Sequence, residues 1–169
     1  LNLTNQLLLS RMAEGSSLEA AMAEARTAGI LEADPSLDVD GWDAAAKILI
    51  LARAVLGLEL RLEDVVRKSL RDVPSEAPRQ ARAEGRRWIY LQTAECREGR
   101  WHLTAGPSQL EADHPWSHLR PDEAAVRYTS DDFGQLDLRW AGQGPLGTAA
   151  ALWRDLFEVM DLEARRTHP

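Results

Sequence analysis

An α+β fold is predicted by three observations. Helical apolar periodicity fills the first third of the chain, short β-prone runs set off by turn residues dominate the second half, and one more helix-period segment follows them. Helices first, then mainly antiparallel strands, then a last helix should pack as helices on one face of a mainly antiparallel or mixed sheet. A length of 169 residues with 44% hydrophobic content suits one compact core, and one domain over residues 1–169 is expected.

In chain order, Leu3, Leu7, Leu8 and Met12 share a helical face, and the run stops at Gly15. Ser16 and Glu19 have capping-box spacing for a second helix that should end at Gly29, with Leu18, Ala21, Met22 and Ala25 as its apolar face. The two alanines leave room for close packing, so the pair reads as a helical hairpin. From residue 31 to 41 the periodicity vanishes and Asp34-Pro35 initiates a turn, which reads as a loop. A third helix is predicted over 42–56, with Asp40 as its N-cap and Gly57 as its stop. A short helix around 62–70 and a polar surface connection over 72–84 come next. Residues 88–93 and 101–105 read as a hairpin around a charged turn ending at Gly99. Residues 125–129 and 135–140 repeat that pattern, and 148–160 form the last helix.

Charge narrows the function classes. With 27 acidic against 20 basic residues the formal net charge is -7, which repels phosphate backbones and anionic membrane surfaces, so nucleic acid is not an expected partner. The longest apolar run is broken by Arg53 and is too short to span a bilayer, so no membrane segment is expected. The N-terminus carries no methionine and no basic stretch before its leucines, and reads as a cut inside a longer chain rather than a signal peptide. Cys96 alone can form no internal disulfide, which fits a reducing, cytoplasmic setting.

The segment richest in chemistry runs from residue 29 to 47. It gathers Glu32, Asp34, Asp38, Asp40 and Asp43, then ends beside Lys47. At (i, i+4) spacing Asp43 and Lys47 share a helix face in the favourable order, acid before base. Most such pairs are solvated surface pairs contributing about 0.2 to 0.5 kcal/mol. Two features set this one apart. Lys47 is the only lysine besides Lys68, and unlike arginine a lysine can lose and regain a proton. It also stands just before the most apolar stretch of its helix, a place that can desolvate an amine. A calcium loop is the competing reading, because Ser36, Asp38, Asp40 and Gly41 occupy the first, third, fifth and sixth positions of an EF-hand register. The register fails where its bidentate glutamate should stand, since Lys47 occupies that place, and no metal site is assigned.

The order and spacing of the acid, Asp34-Pro35, Asp38, Gly41, Asp43 and Lys47 resemble the signature of homoserine dehydrogenases. Thr4-Asn5 and Arg11-Met12-Ala13-Glu14-Gly15 resemble the start and end of that family's preceding helix, and Leu62-Glu63-Asp64-Val65 its short following one. The run from Ala141 to Ala149 looks like the glycine-rich turn before its last helix. The family usually has a small residue where Leu31 stands and Gly-Thr in place of Asn2-Leu3.

This resemblance implies an NAD(P)-dependent oxidoreductase interconverting L-homoserine and L-aspartate 4-semialdehyde, on the way to threonine and methionine. It implies Lys47 as general acid in reduction and general base in oxidation, oriented by Asp43, with Glu32 and Asp38 contacting substrate. It further implies a homodimer, and NAD(P) bound mainly by an N-terminal domain outside this chain, so that this polypeptide alone should be inactive. The independent chemistry agrees: hydride arriving at an aldehyde carbon leaves an alkoxide that a nearby acid must protonate. The rival from another class is a non-catalytic dimerisation or amino-acid-sensing module of the same fold. A third reading, metal-dependent hydrolysis by Asp34, Asp38 and Asp40, needs a tightly bound divalent ion.

Gly142, Gly144 and Gly147 have dinucleotide-fingerprint spacing, yet no second parallel strand or ribose-reading acid can follow in the residues that remain. A tight strand-to-helix turn is the better reading, with Gly144, by the resemblance, approaching the cofactor. His102, His114 and His118 lack the helical spacing of a zinc cluster. Trp88, Tyr90 and Trp101 read as core or dimer-surface aromatics, and Cys96 has no neighbouring base to make it a nucleophile.

Overall fold

Apolar residues three and four apart decide the first two helices. Leu8, Leu9 and Met12 bury one face of α1 (Leu3–Ala13), and Leu18, Ala21, Met22 and Ala25 bury one face of α2 (Leu18–Thr27) against the same core. The structure is a computed structural model in which residues 3–31, 34–120, 123–141 and 145–167 are described. Ser17, not Ser16, caps α2, its side chain accepting the Ala20 N–H at 3.2 Å. The segment expected to be a loop contains a one-turn helix, α3 (Ser36–Val39), started by an Asx turn in which Asp34 Oδ1 accepts the Ser36 N–H at 3.0 Å. The third expected helix is α4 (Trp42–Leu56), with the predicted bounds. Its Ala44, Ala45, Ile48, Leu49 and Ala52 face the core, and Gly57 ends it in the left-handed region at φ 66°.

The 62–70 segment is not a helix. A 3-10 turn at Leu62–Asp64 leads into β1 (Val65–Arg67), where Val65 is buried and Val66 exposed, the alternation of a strand rather than a helix. The spacing of Leu62, Val65, Val66 and Leu70 imitates a helical face, and β-branched valines on a half-buried ladder decide otherwise. Nor is the 72–84 stretch wholly a connection. It holds α5 (Ala77–Ala83), whose Pro78 and Ala81 are buried.

The hairpin expected next is longer at both ends. β2 (Arg87–Arg97) pairs antiparallel with β3 (Arg100–Leu110) through a turn in which Glu98 and Gly99 both have positive φ, 52° and 75°, as the right-handed twist of a tight hairpin requires. β1 adds in parallel to the other edge of β3, giving a mixed sheet of order β1-β3-β2. Tyr90, Leu103, Ala105 and Val65 join the helix residues in one core, with Trp88 and Trp101 packed against it. Of the aromatics expected in the core or on a dimer surface, Tyr90 is in the core and Trp88 and Trp101 are half-buried against it.

That core belongs to the first of two compact units, Leu1–Pro121, and the second is Asp122–Pro169. In the second, β4 (Glu123–Ser130) and β5 (Gly134–Ala141) form an antiparallel ribbon. One face is polar: Arg127 forks onto Asp137 at 2.7 and 2.8 Å, and Arg139 reaches Glu123 at 3.1 Å. The other carries Val126, Leu136, Leu138 and Trp140. The last helix, α6 (Pro145–Thr167), outruns the predicted span and stacks Trp153 on Phe157 with ring centroids 5.9 Å apart. With six α-helices and two small sheets among the described residues, the fold is α+β.

Candidate active site

The sequence from Pro35 to Trp42 makes two helices meet at a corner. α3 gives out after one turn, and Gly41, at φ 79°, reverses the chain so that α4 can begin at Trp42. Asp40 was expected to cap α4, and it does not. Gly41 is the residue at the N-cap position, and no side chain bonds there. Asp40 instead faces the chain just after β1, its Oδ1 accepting from Ser69 Oγ at 2.8 Å and from Arg71 Nε at 3.2 Å. Ser69 Oγ also lies 3.1 Å from the Val39 carbonyl. Arg67 donates from Nη1 to the Asp40 carbonyl at 2.7 Å, and its guanidinium lies 3.5 Å over the Trp42 ring. The corner is therefore clasped from below by residues 67–71.

Asp38 is the one predicted substrate contact whose placement is described. It lies half-buried on α3, and its carbonyl accepts the side chain of Asn5 at 2.9 Å. Asn5 has no exposed surface. A buried amide that holds a carbonyl of the acidic segment ties α1 to the corner. Glu32 and Gly144 lie outside the described residues.

One turn into α4, Lys47 Nζ sits 2.7 Å from Asp43 Oδ2. The sequence placed this pair on one helix face, and the structure brings it into direct contact. The expectation that Lys47 is desolvated is not met: its side chain is 45% exposed and that of Asp43 35%. The reason lies in the helix phase. Ile48 and Leu49 turn toward the core while Lys47 and Ile50 point outward. A primary amine held by a carboxylate on an open helix face can exchange a proton with a molecule that docks there, and α4 presents its first turn, with Asp43, to the same side.

The carboxylates do not converge as a cation loop would need. Asp34 is engaged by Ser36, which holds its carboxyl below the ordinary range through that hydrogen bond, and Asp40 by Ser69 and Arg71. Among the described residues no group of three or more histidine, cysteine or acidic side chains is placed to hold a metal ion. Nor do the described residues form a doubly wound dinucleotide cradle. The parallel strands β1 and β3 are joined through α5 and β2 rather than by a single crossover helix with a phosphate turn. At Gly41, the glycine preceding α4, the space a side chain would need is filled by the Tyr90 hydroxyl. Gly147 falls inside α6 rather than in the turn expected before it, and Gly142 and Gly144 lie outside the described residues.

A family model described as homoserine dehydrogenase matches residues 1–157. The chain belongs to the homoserine dehydrogenase family. Among curated relatives, the NAD(+)-dependent homoserine dehydrogenase of Pseudomonas canavaninivorans is 30% identical over 98% of this chain and 47% of its own length. The homoserine dehydrogenase of Synechocystis is 34% identical over 96% of this chain and 39% of its own. The crystal structure of a homoserine dehydrogenase from Thiobacillus denitrificans superposes with a TM-score of 0.86 at 28% identity, covering 99% of this chain and 39% of that one. The chain thus spans less than half the length of these homoserine dehydrogenases.

Sequence reading singled out Lys47, Asp43 and Asp38, but gave Tyr90 only a core or dimer-surface role and gave no task to Arg67 or Ser69. Their signal is conformational: Gly41 must adopt a positive φ, and something must fill the space beside it. Nothing in a single sequence names the filler, which comes from a strand far along the chain.

Proposed function

We propose that this chain is the substrate-binding and catalytic-lysine part of a dehydrogenase that interconverts L-homoserine and L-aspartate 4-semialdehyde, in the synthesis of threonine and methionine. The contact between Lys47 Nζ and Asp43 Oδ2 at 2.7 Å on an open helix face carries the reading. In oxidation Lys47 takes the proton of the substrate hydroxyl, and in reduction it returns a proton to the alkoxide, which is general acid–base work at one atom. Asp43 holds the amine in place throughout. Glu32 and Asp38 receive the α-ammonium group through charge-assisted hydrogen bonds. NAD(P), which accepts or supplies the hydride when bound, is held mainly by a nucleotide-binding part of the complete enzyme, with Gly144 approaching it. The described residues build no pyrophosphate cradle, so this polypeptide alone is expected to be inactive.

A homodimer belongs to the same proposal. It is supported by the ribbon of β4 and β5, where Leu136, Leu138 and Trp140 remain 45 to 47% exposed on a continuous apolar face. A cytoplasmic setting is proposed from the single free Cys96. No described helix is long and apolar enough to cross a membrane.

The test is homoserine oxidation by the complete enzyme, native against Lys47→Ala, across a pH series. Activity that falls by about 10²-fold to 10⁴-fold on substitution supports the lysine's role. Homoserine binding without NAD(P)-linked turnover would instead favour a sensing or dimerisation module.

A further inference from the structure

Tyr90 is 1% exposed, the largest fully buried side chain of the first unit, and its hydroxyl reaches the corner that launches α4. Oη donates to the Lys68 carbonyl at 2.6 Å. It also stands 2.0 Å from where a Cβ on Gly41 would be, with Cζ at 3.1 Å, so glycine is demanded there by space as well as by its φ of 79°. The Lys68 N–H donates to the Ala105 carbonyl at 2.9 Å, and a Cβ on Gly106 would meet the Lys68 side chain at 3.0 Å, so the acceptor of the tyrosine bond is itself fixed on β3. One phenol therefore spans β2, the chain following β1, and the corner between α3 and α4.

We propose that Tyr90 is a positioning residue for the reaction, its hydroxyl setting how α4 rides over the sheet and hence where Asp43 and Lys47 stand. The inference rests on the catalytic reading of Lys47 given above. Tyr90 touches neither substrate nor the reacting atoms. Its influence runs through Gly41, whose neighbours are held separately: Arg67 bonds the Asp40 carbonyl and covers the Trp42 ring, and Ser69 bonds the Val39 carbonyl. Because the hydroxyl and a Cβ at residue 41 would compete for one space, the two positions must be coupled in a specific sense. Adding a methyl at 41 should displace the corner more while the hydroxyl is present than after its removal, the backbone strain at φ 79° being common to both.

The complete enzyme is compared as Gly41→Ala, Tyr90→Phe and the double variant, reading kcat and KM for homoserine, KM for the dinucleotide, and the thermal midpoint. Gly41→Ala is expected to lower kcat by about tenfold or more while the dinucleotide KM stays within about twofold, because a small displacement of reacting groups costs rate. In the double variant the clash with the hydroxyl is removed while the strain at φ 79° and the close ring carbon remain, and kcat should recover in part, by about threefold or more over Gly41→Ala. Equal kcat in Gly41→Ala and the double variant overturns the proposal. So does a lowered midpoint with kcat kept in every variant, which is the mark of a purely structural tyrosine. Should Gly41→Ala not fold, Tyr90→Phe decides alone. A drop in kcat of about threefold or more at unchanged dinucleotide KM supports the proposal, and unchanged kcat overturns it. If Lys47→Ala keeps full activity, the catalytic reading of the lysine falls, while the Gly41–Tyr90 coupling is still read in kcat. If the native enzyme shows no turnover, homoserine affinity by calorimetry replaces kcat, with the same two outcomes.

Discussion

The side chain of Asn5, with no surface exposed, donates from Nδ2 to the Asp38 carbonyl 2.9 Å away. This bond joins the first helix to the acidic segment. Asn5→Ala removes the donor and leaves a carbonyl short of its partner, which should cost about 1 to 3 kcal/mol in urea denaturation of this chain. The same change should raise KM for homoserine in the complete enzyme, since it loosens the turn that bears Asp38. A stability loss with unaltered KM would detach Asp38 from substrate binding.

Lys47→Arg keeps the charge and the partner Asp43 but replaces an amine with a guanidinium that does not deprotonate. Homoserine oxidation by the complete enzyme should therefore remain as impaired as in Lys47→Ala. Recovery of most activity with arginine would show that position 47 needs charge rather than a transferable proton.

Asp43→Asn retains shape and removes the charge beside Lys47 Nζ, which lies 2.7 Å from Asp43 Oδ2. Both side chains are solvated, so the stability cost should stay below about 1 kcal/mol. The effect on kcat should be larger than on thermal stability, about tenfold, because orientation of the amine is what the carboxylate supplies. Steady-state kinetics and a thermal melt of the same protein separate the two.

Gly57 isolates conformational strain from packing. At φ 66° with nothing within 4 Å of an added Cβ, Gly57→Ala should cost roughly 1 kcal/mol of backbone strain and nothing more. Gly57→Asn should cost less, because asparagine tolerates the left-handed region. Thermal midpoints of the two variants test the ordering.

Burial pushes the Tyr90 hydroxyl up from 10.0 to about 12. The unfolded chain then ionises this tyrosine before the folded one does. Stability from keeping the group protonated is complete below the unfolded value and drains away as pH climbs from 10 toward about 12. Tyr90→Phe has no proton to lose there. Urea midpoints measured through that window should fall more steeply for the native chain than for the variant.

How much of this was legible beforehand depends on the reach of each interaction. α1, α2 and α4 could be read because residues three and four apart carry their whole apolar pattern, and Gly57 marks an end locally. The Asp43–Lys47 contact could be read for the same reason, being internal to one helix. β1 could not: three residues give too few alternations to outweigh the helix-like spacing of Leu62, Val65 and Leu70. The burial of α5 was hidden by its polar composition, since only Pro78 and Ala81 turn inward. Asp40 looked like a cap because its partners, Ser69 and Arg71, lie about thirty residues on and no local rule points to them.

The clasp around Gly41 has a consequence for how the molecule is made. Tyr90 and its acceptor Lys68 are 22 residues apart, and Gly41 precedes both. As the chain leaves the ribosome, α1, α2 and α4 can form from local contacts, but the corner that launches α4 lacks its buried phenol until β2 has emerged and paired. Lys47 is encoded early and settles late. A nascent chain interrupted before residue 90 would carry Asp43 and Lys47 on a sound helix whose corner still lacks its buried phenol, so under the role proposed for this pair the site is completed only late in folding.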